Sequence, residues 1–324
     1  MATYKGIQGY SVQSLASDPS PTASVVGQLW YNSTSSSYKI AIAATGTWAA
    51  GNNRGTGVQG AYGAGSQTAA ISMGGNLLPG VLTYNSETYD GTSWTEVNNI
   101  LARRYNGSAA GNSTAALCVG GTDNVAASLD LTESWNGTCW SEVNDLLSGN
   151  TSMAENIGTQ TAALAVGGSY GPKATNVTFN GTCWTELNDI NTARSNTGGC
   201  GTTTAALICG NSTGTETWNG TSWTAGNNIT TGRTSPGSAM QASNTTALIF
   251  GGGTPASTDK TEEYDGTSWT EVGDLSGPIT HNCGFGTGSA AMTVSGLNTG
   301  PPSITIATQE FNSPVYGIKT VTVT

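Results

Sequence analysis

The residues of this chain that could do ion-pair, acid–base or metal chemistry are few, and most recur at fixed intervals. Three of its five arginines, Arg104, Arg194 and Arg233, each stand ten residues after a tryptophan. Repeated guanidinium groups at one level of a fold admit two readings. They hydrogen-bond carbonyls of a neighbouring element, or they form a rim that faces an anionic or sugar ligand. These three are therefore the candidate ligand-binding residues. Asn150 and Ile279 hold the matching places in two other units, so a ligand-facing set would make a one-sided patch. Acids repeat too. Glu87, Glu133, Glu216 and Glu262 stand two residues before an aromatic, and Glu96, Glu142, Glu186 and Glu271 two after a tryptophan. That spacing reads as a solvated rim whose charge guards strand edges. A calcium site needs several converging oxygens, which spacing alone does not show.

No catalytic constellation, metal site or cofactor is expected. His281 is the sole histidine. A lone imidazole in a glycine-rich segment reads as a hydrogen-bonded structural residue, and it cannot make a two-histidine metal site. The six cysteines, Cys118, Cys139, Cys183, Cys200, Cys209 and Cys283, include no CxxC pair, so they do not spell a zinc site. Cys118 and Cys209 lie in apolar runs, and Cys139 and Cys183 stand where sister units have Ser93, Ser222 and Ser268. All four read as small, part-buried hydrophobes.

The elements that carry these residues are repeats. Six small-apolar runs end in or next to glycine: Thr68 to Gly75, Thr114 to Gly121, Thr161 to Gly168, Thr204 to Asn211, Thr246 to Gly252 and Ser289 to Gly296. After each of the first five comes an aromatic, then Asn-Gly or Asp-Gly, then tryptophan. Trp48, Trp94, Trp140, Trp184, Trp223 and Trp269 step by 46, 46, 44, 39 and 46 residues. A period in the forties marks a repeat architecture. Asp90-Gly91, read as a two-residue hairpin turn, sets Tyr89 opposite Thr92 and makes Tyr89 and Trp94 diagonal neighbours on one face. The same holds at Trp135/Trp140, Phe179/Trp184, Trp218/Trp223 and Tyr264/Trp269. These aromatics are expected to pack between adjacent sheets; the rival reading is an exposed stacking platform for sugars. A Gly-, Ala- and Ser-rich stretch such as Asn106 to Gly111 follows each unit and suits an inner strand crowded around an axis.

Each unit then supplies four strands: small-residue inner strand, glycine-ended apolar strand, aromatic strand and tryptophan strand. The expected fold is all-β, a six-bladed β-propeller over residues 45–324 with a short N-terminal β segment over residues 1–44. Seven blades are the alternative, because residues 27–50 also contain a hairpin-like stretch. The last unit is expected to close with Glu310 to Ser313 and the strand Tyr316 to Thr324, and the alternating tail Lys319 to Thr324 could pair with another chain.

Only 9% of residues are charged, the net charge is −10, and 46 of 324 residues are glycine, about twice the usual glycine share. Ten scattered basic residues leave no nucleic-acid footprint. No apolar run approaches the roughly 18 residues of a membrane span, and the start lacks the apolar core of a signal peptide.

The glycine pair, the aromatic and the tryptophan of one unit, Gly120-Gly121, Trp135 and Trp140, resemble the Kelch family over roughly residues 45–324. The chain departs from that family in a shorter aromatic-to-tryptophan interval and in its Gly-, Ser- and Thr-rich inner strand. The wording Tyr-Asp-Gly-Thr-Ser-Trp with Thr-Ala-Ala-Leu resembles Kelch-like proteins of tailed bacteriophages, marine and cyanobacterial ones especially. Gly27 to Ser33 is similar to a short β motif of phage tail-associated proteins. The resemblance implies a non-enzymatic virion protein, on a tail or tail fibre, that presents its propeller to a host surface glycan or protein. Residues 1–44 would attach to other virion proteins or to sister copies, with a homotrimer as the expected oligomer. A structural or decoration protein without receptor binding is the alternative, and a glycan-active enzyme is a third. Against the third, the galactose-oxidase copper needs two histidines. The sialidase repeat spaces its aspartate and glycine, whereas Gly91 directly follows Asp90.

Overall fold

The structure, a computed structural model, describes residues 12–20, 25–43, 46–77, 80–125, 128–155, 157–169, 172–253, 256–298, 303–313 and 316–321. No α-helix occurs among them. The chain divides into two units, Thr47–Asn312 and a smaller one of Met1–Gly46 with Ser313–Thr324.

The larger unit holds six four-stranded antiparallel sheets. The second is representative. Its strands Ser108–Asn112, Ala115–Val119, Thr132–Trp135 and Trp140–Glu142 pair in chain order. Burial is deepest in the first three, while the last keeps only Trp140 inside. The first strands of successive sheets touch in a cycle: Tyr62–Ser66, Ser108–Asn112, Ile157–Thr159, Thr197–Thr202, Gly237–Ser238, Cys283–Thr287 and back to Tyr62–Ser66. Six sheets arranged around an axis with their first strands innermost are the blades of a β-propeller.

Crowding at the axis explains the small residues there. A Cβ on Gly284 would collide with the backbone of Ser238 in the adjacent blade. Gly111 meets a different demand. Its φ of 108° lies where only glycine sits without strain, and a Cβ would run into the carbonyl of Ala115.

The outer hairpins differ from the two-residue turn expected from Asp-Gly. Tyr89 pairs with Trp94 and Glu87 with Glu96, so four residues, Asp90 to Ser93, form the loop. The reason is the aspartate side chain. Its Oδ1 accepts the N–H groups of Thr92 and Ser93 at 2.8 and 2.7 Å, an Asx turn that rewards the longer loop. Asn136, Asn180, Asn219 and Asp265 do the same. Aromatic and tryptophan are thus direct cross-strand partners, with ring centroids 5.0–5.4 Å apart in five blades.

The sixth blade closes differently from the expectation that Tyr316 to Thr324 would finish it. Its strands are Cys283–Thr287, Ala290–Val294, Thr308–Asn312 and, from the other end of the unit, Thr47–Gly51. Phe311 pairs with Trp48, so the missing tryptophan of the last repeat is the first tryptophan of the larger unit. A linking side chain tracks this arrangement. Asn52, Asn98, Asn144, Asn188 and Asn227, each four residues after a tryptophan, donate Nδ2 to an outer-hairpin carbonyl of the next blade at 2.6–2.8 Å. The sixth such position is Gly273. It precedes the one blade whose third and fourth strands no hairpin joins.

In the smaller unit, Gln13–Leu15, Leu29–Asn32, Ser37–Ala43 and Tyr316–Thr320 form one sheet in that order. The tail strand therefore pairs within its own chain, along Ser37–Ala43, and belongs to the N-terminal unit rather than to the propeller expected over 45–324. Asp18 Oδ1 accepts from Trp30 Nε1 at 2.9 Å and Asn32 Nδ2 at 2.6 Å. Those two bonds hold the Asp18 carboxyl below the usual carboxylate range. Parts of the expected attachment segment (1–11, 21–24, 44), of the second-to-third-strand loops of the first three blades (78–79, 126–127, 170–171) and of the tail (322–324) lie outside the described residues.

Trp48 packs edge-on to Phe250 of the fifth blade, with centroids 4.8 Å apart, and donates Nε1 to Thr261. Replacing Trp48 with alanine is expected to cost about 3 kcal/mol, since it strips the closing strand of its aromatic contact. A lowered denaturant midpoint with an unchanged slope would register that loss; an unchanged midpoint would contradict this closure.

Candidate functional site

Counting twelve residues from each tryptophan gives Gly60, Asn106, Ser152, Asn196, Ser235 and His281. All six carry a left-handed φ between 50° and 60°. Each N–H donates to the carbonyl of its counterpart one blade back, and Gly60 closes the cycle on His281, at 2.5–3.1 Å. Left-handed backbone costs a non-glycine residue roughly 1–2 kcal/mol. The hydrogen bonds of the closed collar offset that cost and satisfy donors that the crowded axis hides from water.

The collar rims a small cavity of about 40 Å³, lined from all six blades and wide enough for a few waters. Ser152, Asn196, Ser235, Pro236, Glu155 and His281 are among its walls. His281 places Nε2 3.3 Å from Ser235 Oγ and Nδ1 3.4 Å from Thr280 Oγ1. Burial pulls its pKa below the ordinary value, so the ring is neutral at pH 7. Its place in the collar gives it the structural role expected from the sequence.

Glu155 is the residue that sequence reasoning missed. It stands fifteen residues after Trp140, where the other blades have Gly63, Ala109, Gly199, Ser238 and Gly284. That contrast of one carboxyl among five small residues was a readable signal. The stretch from Trp140 to Thr161 is also one residue longer than that from Trp94 to Thr114. Glu155 Oε2 is buried without a protein hydrogen-bond partner. Burial pushes the carboxyl pKa well above its ordinary value, and hydrogen bonding from Ser238 opposes that only in part.

The three candidate arginines do not face a ligand. Arg104, Arg194 and Arg233 are buried, and each is paired with the glutamate of the blade it leads into: Glu133 at 3.0 Å, Glu216 at 2.6 Å, and Glu262. They also donate to carbonyls, of Cys118, of Gly214, and of Gly251 and Lys260. The glutamates take further bonds from the chain that enters the blade. Leu101 and Ala102 donate their N–H groups to Glu133, Asn191 and Thr192 to Glu216, and Thr230 and Thr231 to Glu262. These glutamates are thus buried clamps, not the solvated rim expected of them. Glu96, Glu142, Glu186 and Glu271 are exposed on the outermost strands.

A fourth pair, Arg54 with Glu87 at 3.1 Å, serves the first blade. Arg54 escapes the repeat count because it lies six residues after its tryptophan instead of ten. Where the arginine is missing, so is the glutamate: the third blade has Asn150 and Val177, the sixth Ile279 and Gln309. A buried charge left alone is costly, which is why both partners go together.

The tryptophans lie between blades. Trp140, Trp184, Trp223 and Trp269 are buried, Trp48 and Trp94 partly so. Trp48, Trp94, Trp184 and Trp269 donate Nε1 to Thr261, Thr308, Thr132 and Thr215 of the preceding blade at 2.9–3.2 Å. The matching positions before Trp140 and Trp223 hold Ser86 and Asn176, three residues before the aromatic. There both indole nitrogens and the facing polar atoms, Ser86 Oγ and Asn176 Oδ1, are buried without partners. All six cysteines are free; Cys118 and Cys209 are buried as expected, whereas Cys139 and Cys183 are exposed on hairpin loops. Among the described residues, no group of three or more His, Cys, Asp or Glu side chains could hold a metal ion.

No family model matches the chain, and no curated protein matches it. Its fold is similar to the solved structure of YjhT, with a TM-score of 0.67 over 82% of this chain and 99% of that one. The chain is a β-propeller. At 10% identity the likeness speaks for fold alone.

Two substitutions test these blade contacts. Glu133→Val alone leaves Arg104 buried and unpaired and is expected to cost about 3–5 kcal/mol. Adding Arg104→Asn, which copies the third blade, should recover most of it; a double-mutant cycle from denaturant titrations reads the coupling. Ser86→Thr keeps the hydroxyl and adds the γ-methyl found in four sister blades, which restricts χ1 and should turn the oxygen towards Trp140 Nε1, stabilising the fold by about 1 kcal/mol, seen as a higher denaturant midpoint.

Proposed function

We propose that this chain is a non-enzymatic virion protein of a tailed phage, carried on a tail or tail fibre, whose propeller recognises a host surface glycan or protein. One observation carries the binding half of this reading. Six large apolar side chains of the propeller unit are strongly exposed among the described residues: Val81, Tyr84, Leu101, Val125, Leu147 and Ile306. All six lie in second-to-third-strand loops or in blade-to-blade connections. In an up-and-down sheet these segments emerge at the same end, so one face collects the exposed apolar groups and the other has none of them. Apolar side chains gathered on one face mark an interaction surface, and loops on a rigid ring are where binding normally resides.

The phage assignment rests on the resemblance of the hairpin wording and of Gly27 to Ser33. In this reading the smaller unit docks the protein to other virion proteins or to sister copies. Its exposed Val12, Val26 and Tyr38 supply apolar contact area for that. The same three residues favour the second reading, a decoration protein that binds the particle and no receptor.

Purified protein in excess should block its parent particle from adsorbing to host cells. Val125→Asp and Leu147→Asp should each weaken the block at least tenfold without lowering the melting temperature, and Ser222→Asp on the opposite face should leave it intact. No block by folded wild-type protein would refute receptor binding and favour decoration; equal block by all variants would move the binding surface elsewhere.

A further inference from the structure

The axial cavity has a chemistry that neither the fold nor receptor binding requires. Its one acid, Glu155, stands where five blades have Gly, Ala or Ser, and its Oε2 is buried with no protein partner. No lysine or arginine lines the cavity, so nothing there neutralises a carboxylate. Asn106, Ser152, Asn196 and Ser235 also line the cavity, and each carries a neutral side-chain oxygen. The collar N–H groups are all spent on neighbouring carbonyls, which leaves none aimed inward to attract an anion. The sole imidazole, His281, has a hydroxyl within 3.4 Å of each ring nitrogen, so the donors left over are oxygens. Oxygen donors with one carboxylate suit a hard cation that keeps part of its water shell. A volume of about 40 Å³ accommodates one ion with a few waters and excludes an organic ligand.

We propose that the axial cavity is a cation site in which Glu155 Oε2 and the side-chain oxygens of the collar hold a single hard divalent cation, calcium before magnesium. Calcium is favoured because it accepts irregular sets of six to eight oxygens, whereas magnesium demands a near-ideal octahedron. A cation there ties Glu155 of the third blade to collar residues of the other blades at the face that carries the exposed apolar groups. The site does not depend on the phage reading, and its test uses no host cell.

Calcium chloride titrated calorimetrically into chelator-stripped full-length protein should show one saturable site per chain. The melting temperature should rise with calcium concentration, as it does for any ligand that binds only the folded state. Glu155→Gln keeps the shape and removes the charge, and should weaken calcium binding at least tenfold and abolish the melting shift. A wild-type crystal grown with Mn²⁺ gives an independent readout that holds even if the variant fails to fold: its anomalous peak should lie in the cavity beside Glu155. Absence of saturable calcium or magnesium binding, undiminished binding by Glu155→Gln, or a manganese peak only at other places would each overturn the proposal.

Discussion

Six backbone hydrogen bonds running once around the axis, from Gly60 through His281 and back, set the terms for the rest of the propeller. The ring closes only if every blade brings a left-handed residue to the same height. That fixes the interval from each tryptophan to its collar residue at twelve, although repeat length varies between 39 and 46. Most length changes fall in the second-to-third-strand loops of one face, with smaller insertions between collar and second strand in the third and fifth blades, and the innermost strands are held so close that glycine, alanine and serine dominate them. Binding diversity and axial precision are thus separated along each repeat.

Outside the collar, blades are joined by three side-chain devices, two of which appear only where their partners do. The Arg–Glu clamp ties a blade-to-blade connection to the third strand of the blade it enters, and both members vanish together in the third and sixth blades. The asparagine four residues after tryptophan is replaced by Gly273 where there is no hairpin to grip. The tryptophan-to-threonine bond is less strict. Where Ser86 or Asn176 replaces threonine, two polar atoms per site are left buried and unpaired. A missing neutral bond costs far less than a stranded buried charge, which accounts for the looser rule.

Much of this was legible in the sequence, because a repeat shows each position six times. Strand order, the inner strand of small residues and the inter-blade place of the aromatics follow from composition and turn chemistry. What failed was information that lies in distant pairing or in side-chain hydrogen bonds. The Asx turn lengthened the Asp90-Gly91 loop by two residues. The partner of Phe311 proved to be Trp48, from the far end of the unit, and the tail strand went to Ser37–Ala43. The arginines' bonds to carbonyls followed one of the two readings of their spacing, but their glutamate partners stand 22 to 29 residues further on, out of reach of any local pattern. Glu155 escapes any pattern of recurrence, because a site on the axis of a ring needs to occur only once.

The mixed origin of the sixth blade has a consequence for synthesis. As the chain leaves the ribosome, the first five sheets can each be completed from contiguous sequence, but Thr47–Gly51 has no neighbour until residues 308–312 have been made. Throughout elongation the growing molecule is an open crescent, with Trp48 at one horn and the Phe250 face of the fifth sheet at the other. A strand edge and an aromatic are exposed at each end, the condition under which nascent chains pair with one another. Polysomes translating this message therefore carry matching half-closed ends, and the ring can shut only once residues 308–312 have been made.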